Sequence, residues 1–203
     1  MTIALIDYGA GNLHSVHNAL KAVGADVTVT DDAAVVRDAS RIVLPGVGAF
    51  GACMDRLSAI EDMTSALEDR VIGQGVPFLG ICVGMQLMAE YGVEHGTHDG
   101  LGWVAGKVAK LEAKDGIRVP HMGWNAVTPT GAESLVKPGE AYFLHSYAYT
   151  CGQSPSAVRA VTDLGGEVVA AIQTGSALGV QFHPEKSQAY GLDLLKRFLE
   201  WQP

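Results

Sequence analysis

The amino-acid sequence predicts an α/β protein with a mostly parallel central sheet and additional antiparallel strands in its second half. In the first half, short apolar runs alternate with amphipathic stretches, which is the pattern of βαβ units in a parallel sheet. In the second half, closely spaced apolar runs are separated by Pro, Gly and Asp, as in hairpins. The change of composition near residues 92–102 predicts a change of architecture within one domain of residues 1–203.

The first half contains four predicted strands and the helices that connect them. The strands are the apolar runs over residues 3–6, 26–30, 41–44 and 76–81. Helices are predicted over residues 12–23, in segments from the Gly-rich turn after residue 44 to about residue 72, and over residues 85–90. Since ligands bind outside the carboxyl ends of the strands in such sheets, the end of the fourth strand is a candidate place for chemistry.

The second half contains seven shorter predicted strands and a terminal helix. The strands cover residues 107–112, 116–120, 126–130, 141–145, 158–162, 167–173 and 177–181. The helix covers residues 190–201, because its apolar residues recur with a spacing that makes one face.

Composition and charge exclude several classes of protein. Apolar residues make up 48% and charged residues 18% of 203 residues, as in an ordinary globular protein. The formal net charge of -8 and the lack of a Lys/Arg cluster argue against nucleic-acid binding. Cys53, Cys82 and Cys151 are odd in number and widely spaced, which favours free thiols in a reducing compartment. No signal peptide or long apolar stretch is evident, so we expect a cytoplasmic protein.

The most informative motif is Gly-Ile-Cys-Val-Gly at residues 80–84. It follows an apolar run and precedes a helical-looking segment, which is the context of a nucleophile elbow with Cys82 as the nucleophile. Flanking glycines permit a strained turn and a close approach of substrate. The alternative is a buried structural cysteine at a well-packed strand end.

A cysteine nucleophile needs a histidine to take its proton and a third group to orient that histidine. His183-Pro184-Glu185 offers both, since residues two apart in an extended segment point to the same side. The order Cys, His, Glu differs from that of α/β-hydrolases, in which the acid precedes the histidine. The alternative is a surface turn.

An acyl-transfer site also needs N–H donors for the developing oxyanion. Val83, directly after Cys82, can give one backbone donor, and the loop containing Val47 and Gly48 can give another. Residues 46–51 also match G-x-G-x-x-G, but the next strand lacks the acidic residue of a dinucleotide site. His14, His17 and the polar loop 94–99 offer no complete set of metal ligands, so no metal or other cofactor is expected.

Together the motifs at 80–86, 45–48 and 183–185 resemble the class I glutamine amidotransferases of the triad type, in that family's order and over nearly the whole chain. Segments 7–12, 121–125, 145–147 and 185–187 are similar to the glutaminase subunits of imidazole glycerol phosphate synthases. The resemblance implies a flavodoxin-like core and the hydrolysis of glutamine to glutamate and ammonia.

The resemblance also implies residue roles. Cys82 attacks the side-chain amide, His183 moves the proton to leaving ammonia, Glu185 orients His183, and water then attacks the glutamyl thioester. The residues that would hold the amino-acid end of the substrate are Gln86, Glu94, Ser146 and Tyr147.

The implied partner is a (β/α)₈-barrel cyclase subunit, with which the chain would form a heterodimer in histidine biosynthesis. Asn12, Trp124 and Lys186 would lie at or near that interface; their alternative interpretations are a helix cap, a core indole and a solvated lysine.

Three other functions fit parts of the sequence. One is a glutaminase that serves another synthase, such as that of pyridoxal phosphate. Another is a cysteine peptidase or other thiol-dependent hydrolase of related fold, and the third is a non-catalytic binding subunit.

Overall fold

The first half of the chain forms the parallel part of a large mixed sheet. The computed structural model describes residues 2–113, 116–131, 134–150 and 157–203. Its first four strands, which pair in parallel in the order β2-β1-β3-β4, are β1 (Thr2–Ile6), β2 (Asp26–Thr30), β3 (Arg41–Gly46) and β4 (Phe78–Cys82). The helices are α1 (Leu13–Ala22), α2 (Ala33–Asp38), α3 (Phe50–Ser58), α4 (Met63–Leu67) with a π-helical turn over Glu68–Gly73, and α5 (Val83–Gln86).

The second half extends this sheet with antiparallel strands and adds a second, smaller sheet. Its elements are β5 (Ala89–Gly92), β6 (His98–Asp99), β7 (Val104–Lys110), β8 (His121–Pro129), β9 (Gly139–His145), β10 (Tyr147–Thr150), β11 (Val158–Asp163), β12 (Glu167–Thr174), β13 (Ala177–Val180) and α6 (Gln188–Glu200). The large sheet has the order β2-β1-β3-β4-β13-β12-β11-β8-β9, and the small one β10-β7-β5-β6. Strand β13 pairs with β4 in parallel, whereas β12, β11, β8 and β9 continue in antiparallel pairs, which confirms the predicted fold class.

Three of the four apolar runs of the first half, β1, β3 and β4, are strands covered on both faces, whereas β2 is a mostly exposed edge strand. Every residue of β3 and β4 is buried, as are the last four of β1. Continuous apolar runs of this kind are typical of parallel strands between two layers. Buried apolar residues of both halves belong to the same cluster. In the described ranges, no helix combines the length and apolar character needed to cross a membrane.

Two predicted elements were wrong. The predicted strand over residues 116–120 is a turn with an isolated bridge and bends, and β8 begins at His121 instead of residue 126. Pro120 lacks the N–H that a ladder requires, whereas His121 to Asn125 pair directly with β9.

The predicted helix over residues 85–90 ends at Gln86, and Ala89–Gly92 is a strand. A run of six mostly apolar residues does not distinguish the periodicity of a helix from that of a strand. Here, pairing with β6 and β7 makes residues 89–92 a strand. The short elements α2, β5, β6 and β10 were not predicted.

The sheet order brings together the loops that follow three of the strands. Gly46 at the end of β3 is the register partner of Cys82 at the end of β4, and Val180 at the end of β13 is the partner of Ile81. The residues that follow β3, β4 and β13 therefore meet at one edge of the sheet, where open α/β sheets bind ligands.

A Gly84→Ala substitution should destabilise the fold, because a Cβ at Gly84 would overlap the backbone carbonyl of Leu44. We expect a loss of about 3 kcal/mol in the free energy of unfolding, measured by urea denaturation. Gly131→Ala is the matched control, since a Cβ there meets nothing within 4 Å, and it should change stability by less than about 0.5 kcal/mol. Equal stabilities of the two variants would contradict this prediction.

Candidate active site

A pocket of about 350 Å³ lies where these strand ends meet. Its walls contain Val47, Gly48, Cys82, Val83, Gln86, Glu94, Pro120, Leu144, His145, Ser146, Tyr147, His183 and Lys186. All the residues predicted for the oxyanion and the substrate are among them, as are the predicted nucleophile and the predicted base. Glu185 is not part of the wall and contacts His183 instead.

Cys82 occupies a strained turn between β4 and α5. Its backbone has φ +55° and ψ −111°, in a region that residues other than glycine rarely adopt. Close packing makes the glycines of the motif necessary, because a Cβ at Gly80 would lie 2.6 Å from the carbonyl oxygen of Gly84. The tight turn expected from the motif is present, although α5 has only four residues.

His183 and Glu185 form a buried pair behind the thiol. The distance from His183 Nδ1 to Glu185 Oε1 is 2.9 Å, and their side chains are only 3% and 1% exposed. Burial alone would lower the pKa of His183, but hydrogen bonds to Cys82 and Glu185 outweigh it and raise the pKa to about 9. The sulfur, the imidazole and the carboxylate are thus joined in one row, and the imidazole is held as a cation at neutral pH.

Both the imidazole and its backbone are fixed in place. The His183 N–H donates to the Tyr142 carbonyl at 2.9 Å, and the Ser187 hydroxyl donates to the His183 carbonyl at 2.7 Å. His183 has an extended backbone and directly precedes the 3₁₀ turn Pro184–Lys186. The restriction that proline places on the preceding residue explains the extended backbone of His183 at this point.

Gln86 and Glu94 present oxygen atoms to the pocket. The Gln86 amide nitrogen donates to the Tyr147 carbonyl at 2.9 Å and to Gln181 Oε1 at 3.0 Å, so its own carbonyl oxygen is left to accept from a ligand. Glu94 Oε2 accepts from the Phe50 N–H at 2.8 Å at the start of α3, which fixes this half-buried carboxylate at the pocket wall. The two side chains together suit an ammonium group.

The predicted oxyanion loop follows β3. Gly48 has φ +117°, a conformation that favours glycine, and Val47 is exposed. The Val47 carbonyl accepts from the Cys53 thiol at 3.5 Å, so the loop is held from behind by a buried cysteine. Val83 starts α5, where backbone N–H groups have no acceptor within the helix. Cys53 and Cys82 are free thiols, and Cys151 lies outside the described residues.

A second histidine pair supports the pocket, and the sequence reasoning did not assign it. His145 Nδ1 contacts the Tyr147 carbonyl at 2.9 Å, and its Nε2 contacts His121 Nδ1 at 3.1 Å. Burial lowers the pKa of His145 to about 4, so this imidazole is neutral. Because a carbonyl only accepts, His145 carries its proton on Nδ1 and accepts from His121. The motifs at 121–125 and 145–147 contain both histidines and are the signal in the sequence that could identify the pair.

Two of the three predicted interface residues come together. Trp124 packs edge-on against Tyr142 with 6.1 Å between ring centroids, and Lys186 Nζ lies 5.8 Å from the same ring. Trp124 is 47% exposed and is therefore not a core indole. Asn12 precedes α1, but its side chain makes no capping hydrogen bond.

Among the described residues, no cluster of three or more His, Cys, Asp or Glu side chains could hold a metal ion.

Solved structures share this fold at low sequence identity. A structure described as glutamine amidotransferase aligns with a TM-score of 0.76 and 18% identity, over 97% of each chain. The structure of PurLQS from Thermotoga maritima aligns with a TM-score of 0.74 and 18% identity, over 98% of this chain and 97% of that one. At this identity the likeness concerns the fold alone.

Sequence comparison is more specific. The family model for glutamine amidotransferase class-I matches residues 4–201. Imidazole glycerol phosphate synthase subunit HisH of Zymomonas mobilis is 55% identical over all of this chain and 97% of its own length. HisH of Caulobacter vibrioides is 47% identical over all of this chain and 99% of its own. The chain therefore belongs to the class I glutamine amidotransferases, in the group formed by the HisH subunits of imidazole glycerol phosphate synthase.

Proposed function

We propose that this chain hydrolyses glutamine at the Cys82 pocket and supplies ammonia to the partner subunit of an imidazole glycerol phosphate synthase. The observation that carries the proposal is the buried row of Cys82, His183 and Glu185 at the pocket. Full-length similarity to HisH subunits favours this synthase over that of pyridoxal phosphate and over a peptidase.

The first half of the reaction forms a thioester. The Cys82 sulfur attacks the carbonyl carbon of the glutamine side chain, while backbone N–H groups of Val83 and of the Val47–Gly48 loop stabilise the oxyanion. The tetrahedral intermediate then collapses as His183, a cation at neutral pH, gives its proton to the leaving nitrogen. Ammonia leaves, and a glutamyl thioester remains on Cys82.

The second half regenerates the enzyme. Neutral His183 takes a proton from water, which attacks the thioester carbonyl. Glutamate leaves as the sulfur departs, and His183 is again a cation beside Cys82. Glu185 keeps its hydrogen bond to Nδ1 throughout, so that Nε2 is the nitrogen that exchanges protons.

Recognition of the amino-acid end uses the opposite wall. The carboxylate of Glu94 and the free carbonyl oxygen of Gln86 bind the substrate ammonium, and the backbone around Ser146 and Tyr147 holds the carboxylate end. The pocket volume of about 350 Å³ is at the small end of ligand sites, which suits a free amino acid rather than a peptide.

The partner is a (β/α)₈-barrel cyclase bound as a heterodimer over the β8–β9 face. Three large apolar side chains are exposed there: Met122 at 65%, Trp124 at 47% and Leu144 at 37%. Met122 and Leu144 are register partners, and Leu144 also lines the pocket. An apolar face that continues into the pocket is suited to a partner that receives ammonia without releasing it to water. Lys186 lies at the same rim, while Asn12 is proposed at the interface from resemblance alone. A cytoplasmic location is part of this proposal.

A Cys82→Ala variant should lose glutamine-dependent activity by about three orders of magnitude or more, because the thioester cannot form. Ammonia-dependent activity of the complex should survive and serves as the internal control, measured with ammonium salts in place of glutamine. Loss of both activities would indicate a structural role for Cys82.

A Glu185→Gln variant should change the pH profile, since the carboxylate helps to raise the pKa of His183 from 6.5 to about 9. Loss of Glu185 should lower glutaminase kcat/KM by about 10³- to 10⁴-fold and move the basic limb of its pH profile to lower pH.

In the wild type, the stability that His183 contributes is complete below pH 6.5 and is lost as pH rises through 9. Urea unfolding should show a smaller loss over that window in the variant.

The control for this variant is Glu140→Gln, which removes an exposed carboxylate on β9. It should leave both the pH profile and the pH dependence of stability unchanged. A basic limb at the same pH in wild type and Glu185→Gln would refute the role given to Glu185.

A Trp124→Ala variant should weaken the complex by about 2 kcal/mol, or about 30-fold in Kd, because tryptophan side chains buried in an interface carry much of its binding energy. The measurement is calorimetric titration with the synthase subunit. Ile72→Ala is the control, because Ile72 is equally exposed but lies in the turn after α4. Equal affinities of both variants would contradict the role given to Trp124 as an interface contact.

A further inference from the structure

One buried polar residue beside the active site, Gln181, has no role in the mechanism above. It follows β13, next to β4, and stands two residues before His183. Its backbone N–H donates to the Ala170 carbonyl at 2.9 Å, and its side chain has no exposure. A fully buried glutamine requires partners for its amide, and both partners belong to the active site.

The orientation of the Gln181 amide follows from its neighbours. The Tyr147 carbonyl only accepts, so Gln86 must present its NH₂ group there. The same NH₂ group donates to Gln181 at 3.0 Å, which therefore turns its own oxygen towards Gln86. The Gln181 NH₂ group is consequently directed at Cys82, with 3.7 Å between Nε2 and Sγ.

We propose that Gln181 is a further catalytic residue, which donates a hydrogen bond to the Cys82 sulfur when that sulfur carries a negative charge. This rests on the proposed glutamine hydrolysis. A buried N–H donor stabilises an anion more than a neutral acceptor. The thiolate occurs twice in the reaction, as the attacking group and as the group that leaves when water attacks the thioester. The bond therefore assists the breakdown of the thioester, because a stabilised thiolate leaves faster.

Gln181 also joins the nucleophile to the substrate-binding wall. Its oxygen holds Gln86, and its nitrogen holds Cys82, so one amide sets the distance between the group that binds substrate and the group that attacks it. Gln86 keeps its second bond, to Tyr147, when Gln181 is lost. We therefore expect a larger effect on kcat than on KM.

The test compares Gln181→Met, which keeps the length and removes the amide, with Gln181→Glu, which keeps the acceptor for Gln86 and removes the donor to sulfur. The full chain is treated with iodoacetamide over a range of pH, and modification of Cys82 is followed by mass spectrometry of its peptide. The pH midpoint should rise by about 1 unit in Gln181→Met and by more in Gln181→Glu, where a carboxylate faces the sulfur. Glutaminase kcat of the complex should fall about tenfold or more, with KM changed less than about threefold.

Gln173→Met on β12 is the matched control, since its amide contacts the Gly175 carbonyl and not the site. It should alter neither the midpoint nor kcat. A fall in kcat with an unmoved midpoint in both Gln181 variants would make Gln181 a structural residue and overturn the proposal, as would unchanged kcat. A wild-type complex that fails to hydrolyse glutamine would instead overturn the proposed function.

Discussion

The close approach of α5 to β3 is the constraint on which the site depends. Gly84 lies so near the Leu44 carbonyl that no side chain fits, and a Cβ at Gly80 would also lie too close to the backbone of Gly84, at 2.6 Å from its carbonyl oxygen. This packing forces the chain to turn within one residue at the end of β4, and Cys82 takes the positive φ that the turn requires. The strain is borne by the buried sheet around it, in which β3 and β4 have no exposed residue. A looser contact would let the turn relax and move the sulfur away from its partners.

Two buried histidines beside this turn have opposite charge states because their partners differ. His183 faces a sulfur and a carboxylate, which favour its cation in spite of burial. His145 faces a carbonyl and another imidazole, and burial then keeps it neutral. In the proposed mechanism the first exchanges protons with the substrate, whereas the second donates to the Tyr147 carbonyl, which accepts from Gln86. Residue type alone does not distinguish these roles; the groups around each ring do.

The sequence was sufficient for the parts of the site that are local. The glycines around Cys82 specify a tight turn, which is present. The expected contact between His183 and Glu185 is also present, but Glu185 lies in a 3₁₀ turn and not in the extended segment that was predicted. Gln181 was not identified, because a polar residue at the end of an apolar run has no signature until β13 is known to lie beside β4. The same limit explains β5, which takes its strand form from partners distant in sequence. Long-range pairing thus accounts for why Gln181 and β5 were missed.

The composition of the pocket rim follows from the chemistry of its product. Ammonia released into water at neutral pH is converted almost entirely to ammonium, which has no lone pair for nucleophilic attack. A subunit that makes ammonia for a second reaction therefore needs a route that excludes water. Leu144 contributes to the pocket wall and to the exposed apolar face of β8 and β9, so this face borders the place where ammonia forms. An exposed apolar face would be a liability in a free protein, and its position beside the nucleophile is the physical reason for proposing that the synthase subunit binds there.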